Sequence, residues 1–149
     1  MKVVLQRSKE SSVTVNRKVI GKINSGLVLL TGFTNGDDET IIDKMIDKII
    51  NLRIFEDSEG KMNLSLIDVD GSILNISQFT LYANSKNGRR PAFIDALKGE
   101  DSIKLYNYMN KQIINKGIKL ATGEFGADMK VNIYNDGPVT IILDSKELF

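Results

Sequence analysis

An apolar stretch, Leu27-Val28-Leu29-Leu30-Thr31-Gly32-Phe33, runs through the turn Asn35-Gly36-Asp37-Asp38 into a segment of helical period. Short apolar runs of this length form buried strands. In the segment that follows, Ile42, Met45, Ile46, Ile49 and Ile50 recur on one helical face, and Asp43, Lys44, Asp47 and Lys48 occupy the other. The spacing predicts a helix from Glu39 to Leu52, opened by acidic residues that suit a helix N-terminus. A buried strand joined to a one-faced helix requires a sheet covered by helices. The fold class is therefore mixed α/β.

The rest of the chain fits that frame. Val3–Leu5, Val13–Val15 and Lys18–Ile20 read as short strands, the last two joined at Asn16-Arg17. Arg53–Glu56 is extended, Asp57–Gly60 is a turn, and Met62–Leu66 alternates like a half-buried strand. Asp70-Gly71 is a turn before a strand over Ser72–Phe79. Asn84–Pro91 forms a polar, basic loop. A second helix is expected over Asp101–Asn115, with Gly117 at its C-terminal cap, then strands near Ala127–Tyr134 and Val139–Leu143. No repeat or linker divides residues 1–149, so a single compact domain is expected: a mixed, largely antiparallel sheet or barrel with two main helices.

Absences narrow the chemistry. The chain has no histidine and no cysteine, which excludes Ser-His-Asp triads, Cys-His pairs and zinc sites built on those ligands. Glu56, Asp57 and Glu59 lack the spacing of a calcium loop and read as a solvated turn, so no metal or cofactor is expected. No apolar run approaches the ~18 residues of a membrane span. The polar start after Leu5 does not resemble a signal peptide, which points to a cytoplasmic protein without a membrane partner. Net charge is +1, so nothing in the overall balance advertises nucleic acid, although Lys86, Arg89 and Arg90 cluster around Gly88.

Two segments remain as candidates. Ser77-Gln78-Phe79-Thr80 ends an apolar run. It reads either as a strand end whose hydroxyls and amide satisfy the local backbone, or as a site whose successive N–H groups face an oxyanion. Thr80 is the candidate nucleophile, but no histidine is available to activate it. Gly137-Pro138, within Asn135–Thr140, contains one of only two prolines. It reads either as a turn before the last strand or as a rigid unit, open to a cis bond, with fixed carbonyls that accept from an ammonium group. Asp128 reads as a turn former and Met129 as a core residue.

In this order, several pieces resemble the D-aminoacyl-tRNA deacylase family. They are Gln6-Arg7, Arg53-Ile54-Phe55, Gly60–Asn63, Ser77–Leu81, Gly88-Arg89-Arg90-Pro91, Phe125 with Ala127-Asp128-Met129, and Asn135–Thr140. The resemblance implies a homodimer that hydrolyses the ester between a D-amino acid, or glycine, and the acceptor end of tRNA. It implies that Gly137 and Pro138, joined by a cis bond, enter the partner's active site, present carbonyls to the substrate ammonium and reject L-amino acids. Arg7 would orient that dipeptide, and Met129 would sit close to it. Ser77, Gln78, Phe79 and Thr80 would line the adenosine and the scissile ester. A non-catalytic tRNA-binding module acting through Lys86, Arg89 and Arg90 is the alternative.

Overall fold

The computed structural model describes residues 1–149. Its strands are β1 (Lys2–Ser8), β2 (Ser11–Val15), β3 (Lys18–Ile23), β4 (Gly26–Gly32), β5 (Phe55–Glu56), β6 (Met62–Leu64), β7 (Ser72–Ser77), β8 (Lys119–Thr122), β9 (Lys130–Asn132) and β10 (Asn135–Asp144). The helices are α1 (Glu39–Asn51), α2 (Gly99–Asn115) and the short α3 (Ser145–Leu148), with a 3-10 turn over Phe79–Tyr82. No helix is long and apolar enough to cross a membrane.

Three layers result. A five-stranded sheet, ordered β10-β1-β4-β7-β8, is antiparallel from β10 to β4 and parallel from β4 to β8. Helices α1 and α2 cover one face, where Leu5, Leu27, Leu29, Ile42, Met45, Ile49, Ile73 and Met109 share one buried cluster. A three-stranded sheet, β3-β2-β9, covers the other face through Val13, Ile23, Val28, Leu74 and Ile76. The strand β4 is buried on both faces, which explains its continuous apolar sequence.

Helix α1 begins where the acidic turn predicts, with the Asp38 side chain accepting from Ile41 N–H at 2.8 Å. The N-terminal amine of Met1 is buried between Asp37 and Ser145. At the start of β4, a Cβ on Gly26 would lie 1.9 Å from Ser72 O, and its φ is +137°. Only glycine permits the two parallel strands to begin that close together.

Several expectations need correction. The sheets do not close into a barrel. The strand expected to reach Phe79 stops at Ser77 and turns into the 3-10 segment. Strand β8 and helix α3 were not anticipated, and the strand expected over Ala127–Tyr134 is only Lys130–Asn132.

Gly137-Pro138 does not precede the last strand. It bulges out within β10, where the β1 pairing steps from Gln6↔Thr140 to Ser8↔Asn135. Arg7 alone therefore faces Asp136 to Val139.

Candidate active site

The parallel pair β4–β7 ends at Thr31↔Ser77, and a cavity of about 270 Å³ opens beyond these carboxyl ends. Open sheets bind ligands at this end of their parallel strands. Thr31, Gly32, Ile76, Ser77, Gln78 and Phe79 form one wall. Phe125, Gly126, Ala127, Met129 and Val131 form the opposite wall, and Ser102 of α2 contributes from the helix layer.

A buried polar chain fixes the strand ends. Thr31 Oγ1 donates to Asn75 Oδ1 at 2.7 Å, and Asn75 Nδ2 donates to Asn110 Oδ1 at 2.7 Å. The Tyr106 hydroxyl donates to Asn75 O at 2.6 Å. Asn75 is fully buried, so these bonds satisfy groups that would otherwise be costly in the interior. Burial pushes the Tyr106 phenol up to about 12, which keeps it a neutral donor. The Tyr106 ring also packs against Phe125, centroids 5.8 Å apart, and so braces the far wall of the cavity.

The near wall turns sharply after Ser77. Gln78 N–H donates to Thr31 O at 2.7 Å, and Leu81 N–H donates back to Gln78 O at 3.3 Å. The 3-10 geometry itself supplies no acceptor to the N–H groups of Phe79 and Thr80 at its start. Gly32 makes the turn possible: a Cβ there would lie 2.8 Å from Gln78 O and 3.3 Å from Leu81 Cβ. Thr80 is exposed and does not line the cavity. Its hydroxyl accepts from Gln78 Nε2 at 2.5 Å.

Met129 sits in the cavity, held over Gly123, where a Cβ would meet its sulfur at 2.4 Å. Asp128 is exposed and pairs with Lys130 at 2.9 Å. No group of three or more acidic side chains gathers as a metal site.

The Gly137-Pro138 peptide is cis, and both residues are exposed. Beneath them lies Arg7, only 6% exposed. Its Nη1 donates to Ile54 O at 2.8 Å and its Nε to Asp136 O at 3.2 Å, with the Asp136 carboxylate 3.6 Å away. A buried guanidinium needs such acceptors. A Cβ on Gly137 would approach Arg7 Nη2 to 2.9 Å.

The fold thus brings Ser77, Gln78, Phe79 and Met129 together in one cavity and Arg7, Gly137 and Pro138 together at a separate bulge. The bulge is not part of its own chain's cavity. Sequence reasoning missed Thr31, Gly32 and Ser102. Nothing local marks them, because each reaches the cavity through pairing or helix docking.

Residues 4–144 match the family described as D-Tyr-tRNA(Tyr) deacylase. The chain is 53% identical over 144 residues to a D-aminoacyl-tRNA deacylase of Lactobacillus acidophilus, covering 97% of this chain and 99% of that one. It is also 53% identical over 146 residues to the protein of that name in Bacillus thuringiensis, covering 98% and 100%. Among solved structures, a c-Myc DNA unwinding element binding protein superposes with a TM-score of 0.90 at 40% identity, over 97% and 98% of the two chains. A probable eukaryotic D-amino acid tRNA deacylase shares the fold, with a TM-score of 0.82 at 16% identity over 95% and 97%.

Proposed function

The chain belongs to the D-Tyr-tRNA(Tyr) deacylase family and is a D-aminoacyl-tRNA deacylase, and from that premise we propose how its cavity works and what it rejects. The single observation that carries the reading is the 3-10 turn. It leaves two successive backbone N–H groups free of helical acceptors, that of Phe79, which lines the cavity, and that of Thr80, the next residue, in a chain with no histidine or cysteine.

An aminoacyl ester is already activated, so stabilising charge on its carbonyl oxygen is the main requirement. Water adds to the carbonyl carbon, and the two N–H groups receive the oxyanion. Collapse breaks the ester C–O bond, and the ribose oxygen leaves with a proton. Removing one oxyanion donor typically costs about 3 kcal/mol, so a pair supplies a large share of the acceleration. The substrate's own ribose hydroxyl orients the water, and Gln78 positions the terminal adenosine. The Thr80 hydroxyl is not the nucleophile in this scheme, in keeping with its exposed position and its bond to Gln78.

Chiral selection comes from a second copy of the chain. In a homodimer, Gly137 and Pro138 of one subunit enter the cavity of the other beside Met129, and their carbonyls accept from the substrate ammonium. With ammonium and ester both held, an L side chain points into the dipeptide, whereas a D side chain points to open space. Glycine has no side chain to clash, so glycyl-tRNA is also hydrolysed. The reaction takes place in the cytoplasm as a proofreading step of translation. The exposed dipeptide, and the buried Arg7 that holds it from behind, support this arrangement.

The test is a panel of D-tyrosyl-, L-tyrosyl- and glycyl-tRNA. The expected result is rapid hydrolysis of the first, measurable hydrolysis of the third and sparing of the second. Thr80→Ala retains near-normal single-turnover deacylation, and a loss of several hundredfold would restore the covalent scheme. Pro138→Ala that still spared L-tyrosyl-tRNA at full D-activity would remove the steric filter.

A further inference from the structure

We propose that the hairpin loop from Asn84 to Phe93 is a docking arm for the phosphates of the single-stranded tRNA 3′ end, the nucleotides that precede the terminal adenosine. The inference rests on the reading of the adjacent cavity as the deacylation site.

Charge is the first observation. From Gly71 to Gly99 the chain carries Lys86, Arg89, Arg90 and Lys98 against the single acid Asp95, although its overall net charge is only +1. About half of the cations elsewhere are ion-paired, and Lys22, Lys61, Lys104, Lys116, Lys119 and Lys130 each lie within 3.0 Å of a carboxylate oxygen; no other stretch places three unpaired, exposed cations within five residues. Lys86, Arg89 and Arg90 enter no ion pair, and all three are exposed. Unpaired, clustered guanidinium groups suit phosphate oxygens, which they can engage in bidentate fashion.

Placement is the second observation. Asn84 and Ala92 exchange backbone hydrogen bonds of 2.7 and 2.9 Å, so the intervening residues project as a narrow arm. Its base is anchored: Thr34 Oγ1 donates to Asp95 O at 2.5 Å, and Leu97 N–H donates to Phe33 O at 2.9 Å. The arm also joins the cavity through aromatic contact. Phe93 packs edge-on against Phe79, centroids 5.1 Å apart, and Phe79 lines the cavity. Both rings remain partly open, Phe79 at 55% and Phe93 at 38%. An exposed aromatic pair leading from a cavity to a cationic arm matches the chemistry of single-strand recognition, in which rings take bases and cations take the backbone.

The experiment compares wild type with a triple variant, Lys86→Gln, Arg89→Gln, Arg90→Gln, on two substrates: D-tyrosyl-tRNA and the D-tyrosyl ester of adenosine. Salt dependence is measured between 0.05 and 0.5 M as an added readout (~0.7 of log-log slope per single-strand phosphate contact). Loss of three contacts should lower the slope by about 2. Because the counterion term vanishes near 1 M, KM for D-tyrosyl-tRNA should rise about 100-fold at 0.1 M with kcat unchanged. The adenosine ester should be hydrolysed equally by both proteins. Arg89→Lys with Arg90→Lys should keep most of the slope.

An unchanged KM and slope on D-tyrosyl-tRNA, with wild type active, would overturn the docking arm alone. Failure of wild type on both substrates would instead overturn the deacylation reading of the cavity. An equal loss on the adenosine ester would show that the loop shapes the cavity, and would also reject the arm. A slope loss on duplex DNA without one on tRNA would assign the cations to a different nucleic acid and reject it as well.

Discussion

Replacing Gly32 with Ala tests the site through its backbone, without touching a reacting group. The added Cβ would stand 2.8 Å from Gln78 O, whereas ordinary contact begins at 3.4 Å. The opposing atom is a carbonyl held between the Thr31–Gln78 and Gln78–Leu81 bonds, so it cannot rotate away as a side chain could. Relief requires the start of the 3-10 turn to move outward by about 0.6 Å, carrying the N–H groups of Phe79 and Thr80 with it. Catalytic constellations tolerate only about 0.5 Å of error, and a 1 Å misplacement can cost on the order of 100-fold. The expected loss in kcat/KM for D-tyrosyl-tRNA is therefore about 10- to 100-fold. The cost to folding is that of modest overpacking, about 1–3 kcal/mol. For a chain of this size that lowers Tm by roughly 2–4 °C per kcal/mol. Gly99→Ala is the control, because a Cβ there meets nothing within 4 Å. Deacylation kinetics and thermal unfolding are measured on both variants. Activity of a folded Gly32→Ala within twofold of wild type would show that the turn does not set the catalytic geometry.

Three further predictions follow from the buried network and the bulge. Asn75→Ala removes the centre of a fully buried polar chain and leaves Thr31 and Asn110 without their partner, so the urea midpoint should fall by the equivalent of about 2–4 kcal/mol. Tyr106 has its folded pKa raised to about 12 by burial, against an ordinary value of 10.0, so its neutral form is favoured in the folded state. Its contribution is complete below pH 10 and is lost as pH rises from 10 to 12, about 2–3 kcal/mol in all. Urea unfolding at pH 9 and 11 should show about half of this loss, and Tyr106→Phe should reduce the slope without abolishing it, because burial also raises the Tyr82 and Tyr108 phenols. Gly137→Ala places a methyl 2.9 Å from Arg7 Nη2 at a φ of +122°, both unfavourable. Deacylation should drop at least tenfold while Tm changes by only a few degrees, because the bulge is exposed. A fully active variant would detach that dipeptide from function.

Elements governed by local pattern were legible in the sequence. Strand β4 and helix α1 lie within a residue of their expected limits, because a buried apolar run and a 3.6-residue period depend only on nearby residues. The misses depend on distant partners. Strand β8 is a four-residue edge strand, an exposed Lys119 followed by half-buried Leu120, Ala121 and Thr122, and its parallel pairing with β7 defines it. The bulge at Gly137-Pro138 inserts extra residues of β10 opposite Arg7, roughly 130 positions earlier, whose Nε donates to the Asp136 carbonyl across the gap. Asn75 looked like an ordinary strand position, since Thr31 and Asn110 lie far from it along the chain. In the cavity, Ser77–Phe79 stand out as a segment, whereas Met129 reads as a core residue and only the family resemblance brings it near the site. Ser102 does not stand out, because a serine in the first turn of a helix is ordinary.

The pairing of β1 also bears on synthesis. Lys2 lies opposite Asp144 on one side and Gly32 on the other, so the first strand to be made waits for one of the last. Until residues 135–144 have left the ribosome, one edge of β1 has no hydrogen-bonding partner, and Arg7 lacks the Asp136 carbonyl. Completion of the sheet therefore waits for the synthesis of β10, and until then the nascent chain carries an open strand edge. A chain stalled before Val139 should be a chaperone client, whereas one that has exposed residues 135–144 should close the edge by itself.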